Sequence, residues 1–106
     1  MQTVYIAGPI TNVNGYEYEF KKKEQELKKL GYKVFNPVPI GQKYKRLQGD
    51  REIKHEEYMK VCLPYLLQSD YITLLNGWEK SEGATFEKET AKVCGIPILK
   101  ARAIDG

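Results

Sequence analysis

The sequence predicts an α/β fold: a flavodoxin-like (Rossmann-like) parallel sheet of four strands in the order 2-1-3-4, with helices on both faces. Three observations predict it. Strand-like runs alternate with helical periods in the order β-α-β-α-β-α-β, the succession that builds a covered parallel sheet. The run Tyr71-Ile72-Thr73-Leu74-Leu75 is apolar throughout, as a strand buried on both faces is. Turn signals, among them Gly8-Pro9, Gly31 and Gly95, separate the runs. With 106 residues, the chain is expected to be one domain over 1–106, large enough for a core of its own.

The first strand, Gln2–Ala7, starts almost at the N-terminus and stops at Gly8-Pro9. Gly8 to Gly15 form a loop of small and polar residues. Tyr16, Phe20, Leu27 and Leu30 then recur at helical spacing, and Gly31 ends that helix. Tyr32–Phe35 is the second strand, closed by Asn36-Pro37-Val38-Pro39. Ile40–Gly49 has no clear period and reads as a long loop. Asp50 is a candidate cap for a helix from about Arg51, with Met59, Cys62, Leu63 and Leu66 as its buried face. Pro64 is expected to kink or split it. Tyr71–Leu75 is the third strand, and Ser81-Glu82-Gly83-Ala84 opens the last helix. Ile96–Leu99 is the fourth strand, at the sheet edge because Pro97 cannot donate to a ladder, and Ala101–Gly106 is a short tail.

Composition narrows the function classes. Charged residues make up 29% and hydrophobic residues 42%, the balance of an ordinary soluble globular protein. The net charge is +3, and the lysines in Lys21-Lys22-Lys23 and Lys28-Lys29 are interleaved with Glu24 and Glu26. That pattern describes a solvated helix face and argues against nucleic acid as a partner. No run is long enough to span a membrane, and Met1 leads straight into a strand without a signal peptide. The two cysteines, Cys62 and Cys94, sit on predicted helix faces. They read as buried free thiols in a reducing cytoplasm, with a disulfide as the alternative. A single histidine argues against a metal centre, and no dinucleotide or Walker pattern calls for a cofactor.

Open parallel sheets bind ligands beyond the carboxyl ends of their strands, where the order switches. Here that crevice falls between the first and third strands, walled by Gly8–Asn14 and Asn76–Glu87. Turning about 100° per residue puts Ala84, Glu87, Ala91 and Cys94 in a stripe about 80° wide, the face that packs on the sheet. Glu87 is thus the one carboxylate of its helix pointing inward, where a charge needs hydrogen bonds or a function. Three structural readings compete with catalysis: bonds to backbone amides, pairing with a lysine, or a position further out than the wheel suggests. Ser81 is either a plain N-cap or a phosphate contact, and Gly83 gives a ligand room at a helix N-terminus. Gly8 leaves similar room opposite. Tyr5 is near enough to the strand end for its hydroxyl to reach Glu87, with core packing as the default. Trp78 is a stacking platform for a base or a lid over the core. His55, amid Arg51, Lys54, Glu56 and Glu57, reads as a surface residue.

The segments Val4-Tyr5-Ile6-Ala7-Gly8-Pro9-Ile10 and Gly77-Trp78-Glu79-Lys80-Ser81-Glu82-Gly83-Ala84-Thr85-Phe86-Glu87 together resemble the nucleoside 2-deoxyribosyltransferase-like superfamily. The nearest likeness is to its small, often phage-encoded members, over nearly the whole chain. The resemblance implies N-glycosidic chemistry, hydrolysis or deoxyribosyl transfer, on a deoxynucleoside or its 5′-monophosphate. It makes Glu87 the nucleophile and Tyr5 the tyrosine that orients it. It places Ser81 against a 5′-phosphate and Gly8 and Ile10 along the site. At the position where the enzymes carry an aspartate for the leaving base, this chain has Cys62. The resemblance also implies a homo-oligomer, because the enzymes complete their site with a neighbouring subunit from a region after the fourth strand. Non-catalytic binding or sequestration of a nucleotide is the alternative.

Overall fold

The computed structural model describes residues 1–10 and 14–99. Its elements are β1 (Thr3–Ala7), α1 (Tyr16–Lys29), β2 (Lys33–Phe35), α2 (Pro37–Leu47), α3 (His55–Leu67), β3 (Tyr71–Leu74), a 3₁₀ turn (Trp78–Lys80) and α4 (Glu82–Val93). The three strands form a parallel sheet in the order β2-β1-β3, with Tyr5 opposite Phe35 on one side and Ile72 on the other. Side chains alternate across each strand, so central β1 feeds both faces. Val4 and Ile6 pack with Phe20 and Leu27 of α1, while Tyr5 and Ala7 pack with Cys62 and Leu66 of α3 and Ala84 and Ala91 of α4. The result is an α/β fold with helices on both faces of the sheet. Among the described residues, no helix is long and apolar enough to cross a membrane.

Several expectations need correction. Ile96–Leu99 contributes one parallel bridge, Ile72 to Ile98, and not a fourth strand. The Ile72 N–H donates to the Pro97 carbonyl at 3.0 Å and the Leu99 N–H to the Ile72 carbonyl at 2.8 Å. Pro97 has only a carbonyl to offer, which keeps the pairing short. The tail Ala101–Gly106 and residues 11–13 of the first loop lie outside the described residues.

The stretch expected as a loop from Ile40 is mostly helix, α2. Asn36 caps it by accepting from the Val38 N–H at 3.0 Å. Pro37 is the first helical residue and Pro39 falls in the same turn, whose N–H groups have no helical acceptor in any case. The period is hard to read because only Pro37 of this helix is buried.

Asp50 does not cap α3. It sits in the left-handed region with φ 61°, just after Gly49, and the helix begins at His55. Pro64 neither ends nor splits α3, because its ring is on the exposed side while Cys62 and Leu66 anchor the opposite face. Cys94 is exposed: α4 ends at Val93, and Gly95 at φ 73° turns the chain away. Cys62 is buried as expected, and both thiols are free.

The contact of α2 with α3 depends on Gly41. A Cβ at Gly41 would overlap the ring of Tyr58. Glycine to alanine in a helix normally gains up to about 1 kcal/mol, whereas overpacking costs about 1–3 kcal/mol. Gly41→Ala is therefore expected to lower stability by about 1 kcal/mol in urea titration. A stabilised variant would show that Tyr58 moves aside without loss.

Candidate active site

Ser81 fixes where α4 begins. Its backbone is extended (φ −103°, ψ 119°), and its Oγ accepts from the Ala84 N–H at 3.1 Å. The helix starting there carries Gly83, Ala84, Glu87 and Ala91 on its buried face. Glu87, one turn inside, is 6% exposed and points at the middle of the sheet. There the fully buried Tyr5 of β1 donates its hydroxyl to Glu87 Oε2 at 2.7 Å.

This geometry disposes of the three structural readings. Tyr5 is the one hydrogen-bond partner of Glu87 among the described residues, and neither a backbone amide nor a lysine or arginine meets it there. Glu87 is not displaced outward either. Glu87 also lines a cavity.

Burial dominates the electrostatics. It raises the Glu87 carboxyl from 4.5 to about 7, against the opposing pull of the Tyr5 hydrogen bond. Burial, followed by the charge of Glu87, also holds the Tyr5 phenol well above its ordinary value. Tyr5 is thus a permanent donor to Glu87. Burial and then Glu87 push the nearby Cys62 thiol up to about 11, so it stays protonated and unreactive at neutral pH.

The cavity at Glu87 measures about 70 Å³ and lies at the carboxyl ends of the strands. Gly8 and Ile10 line it from the loop after β1, and Ser81, Gly83, Ala84 and Glu87 from the N-cap and first turns of α4. Gly8 is closely packed, since a Cβ there would stand 2.8 Å from Leu75 Cβ. A third wall was not expected: Pro37 opens α2, and His55, Tyr58 and Met59 come from the first turns of α3. Gly83 serves this wall, because its absent Cβ would meet Met59 Sδ at 3.1 Å and His55 Cε1 at 3.2 Å. A larger groove of about 510 Å³ adjoins, sharing Ile10, His55 and Tyr58. That volume is in the range that holds small-molecule ligands, roughly 300–1,000 Å³.

Trp78 is not among the residues lining either space. Gly77, at φ 87°, turns the chain so that the indole packs against the core, with Lys88 Nζ 5.4 Å from its ring centre. Of the two readings for Trp78, the structure places it over the core. The signal that points to His55 is its spacing, since His55, Met59 and Cys62 fall on one face of a helix, but its charged neighbours Arg51, Lys54, Glu56 and Glu57 mask it.

Glu87 should leave a mark on stability. The folded chain holds its proton between pH 4.5 and about 7, where the unfolded chain has released it. The contribution is complete below pH 4.5 and is lost as pH rises through 7, a change of roughly 3 kcal/mol. Urea unfolding of the wild type and Glu87→Gln from pH 5 to pH 8 is expected to show the wild type losing ground by that amount. A pH-independent difference would contradict the buried carboxyl.

Neither the comparison with curated proteins nor that with solved structures returned a match. A family model described as a domain of unknown function, DUF4406, matches residues 2–100. The match takes in all three strands and all four helices of the described fold, together with every residue lining the Glu87 cavity, and the chain belongs to the DUF4406 family.

Proposed function

We propose that the protein catalyses N-glycosidic chemistry, hydrolysis or deoxyribosyl transfer, on a deoxynucleoside or deoxynucleoside 5′-monophosphate. The observation that carries this reading is a buried carboxyl group held by a tyrosine hydroxyl at the edge of a cavity. Glu87 attacks the anomeric carbon as the base leaves, giving a covalent glycosyl-enzyme that water or an acceptor base resolves. Tyr5 holds the carboxylate in line. The Ser81 hydroxyl accepts from Ala84 but can still donate its own proton to an anion. The Glu82 and Gly83 amides lie in the first turn of α4, where a helix has no acceptor of its own for them. The Glu87 cavity takes the reacting centre and the group beside Ser81, and the base lies in the adjoining groove. A flavodoxin-like sheet and a homo-oligomeric state belong to the same proposal.

Binding without turnover is the second reading, favoured by one feature. Cys62, at the position the resemblance assigns to an aspartate, is a buried protonated thiol and a poor acid. Incubation with a panel of deoxynucleosides and their 5′-monophosphates, followed by chromatography of free base, separates the two. Base release by the wild type that disappears in Glu87→Ala is the expected result. Tight binding without release would establish sequestration, and release surviving in Glu87→Ala would overturn the mechanism.

The pH profile provides a sharper check. A nucleophilic carboxylate acts ionised, so the acid limb of the wild-type kcat/KM profile should titrate near pH 7. Tyr5→Phe removes the hydrogen bond that lowers the Glu87 pKa, so its acid limb is expected at higher pH and its rate lower. An unmoved limb would show that Tyr5 does not tune the nucleophile.

A further inference from the structure

We infer that His55 is the general acid that protonates the departing base, and the general base that activates water in the following step. This rests on the glycosidic reading above. A nucleobase leaving as an anion is a poor leaving group, so its departure calls for a proton from a group beside the reacting centre. Among the described residues, the side chains lining the cavity with an ionisable proton are, beyond Glu87 itself, His55 and Tyr58. Tyr58 is already committed, donating its hydroxyl to the Pro37 carbonyl at 3.0 Å, and its burial disfavours giving the proton up. Cys62, also near Glu87, does not line the cavity.

His55 is well placed. A Cβ on Gly83 would lie 3.2 Å from its Cε1 and 3.6 Å from its Nε2, so the Nε2 edge of the imidazole faces α4. Gly83 is one helical turn before Glu87, on the same face. His55 also lines both the Glu87 cavity and the adjoining groove, the boundary a base would cross if the sugar carbon is at Glu87 and the base in the groove. Its place at the start of α3 leaves it exposed enough to exchange protons with solvent.

The step balances. In the first half, a Glu87 oxygen bonds to C1′ and the C1′–N bond breaks. Its electron pair goes to the base nitrogen, and the His55 proton goes to the base, which leaves neutral. In the second half, water bonds to C1′ as His55 takes its proton, the C1′–O bond to Glu87 breaks, and the pair returns to the carboxylate. His55 ends protonated and Glu87 ionised, as at the start.

The test compares two substrates of the same sugar: 2′-deoxyguanosine 5′-monophosphate and its 7-methyl derivative, whose base is already cationic and leaves without a proton. His55→Ala is expected to lose roughly 100-fold or more in kcat on the unmethylated substrate. It should stay within a few-fold of wild type on the methylated one, and added imidazole should restore part of the lost rate. Glu87→Ala should lose both substrates. His55→Asn serves as a second variant should the alanine variant unfold, and circular dichroism checks both. Equal losses on the two substrates, or no loss on either, would overturn the role of His55 while leaving that of Glu87 standing. A wild type that cleaves neither substrate would overturn the glycosidic reading and this inference with it.

Discussion

The burial of one carboxyl group against one phenol organises the functional half of this molecule. Placing Glu87 under α4 at the centre of the sheet is costly for its ionised form, and the Tyr5 hydroxyl returns only part of that cost. The arrangement works because α4 is built from small residues where it meets the sheet. Ala84 and Ala91 let the helix approach closely, so the longer Glu87 side chain reaches Tyr5. A wider helix–sheet spacing would admit water and remove both the raised pKa and the enclosed cavity.

The remaining elements position this pair and its surroundings. β1 is central, with β2 and β3 paired on either side, so Tyr5 is held by two ladders and has little freedom to shift. Asp70 closes the start of the sheet by accepting from the Thr3 N–H at 2.8 Å, while the Asp70 N–H donates to the Thr3 carbonyl. At the other end, α2 and α3 bring a wall that β1 and α4 alone would not provide. Gly41 lets Tyr58 lie against α2, the Tyr58 hydroxyl ties α3 to Pro37, and Arg51 and Tyr44 converge on Glu57. That convergence holds the Glu57 carboxyl down at about 2. The glycines Gly41 and Gly83 act as contact points between helices, where absence of a side chain sets the distance.

Local signals were enough for much of the fold and part of the site. The alternation of runs, the turns at Gly8-Pro9 and Gly31, and the inward wheel position of Glu87 depend on period and backbone preference, which neighbouring residues carry among themselves. They specify the alternation of strands and helices that a parallel α/β sheet needs; the strand order 2-1-3 and the crevice at the carboxyl ends of the strands follow from the topology of open sheets. α2 escaped notice because its buried surface is too small to leave a period, and its two prolines suit a first helical turn as well as a loop. Among the described residues Ile96–Leu99 pairs through one bridge, because an apolar run with proline can pair that way as well as through a ladder.

Which partners those signals would meet was decided in three dimensions. The sequence by itself puts Glu87 on the inward stripe of its helix, since helical periodicity is a property of the chain alone. Only tertiary structure decided that Tyr5, 82 residues away, would be its one partner among the described residues, with neither a lysine nor a backbone amide of those residues in that place. It also decided that His55 stands at the cavity and Trp78 does not, because those positions follow from where α3 starts and how Gly77 turns. Periodicity determines which way a side chain points; the packing of distant elements determines what it meets.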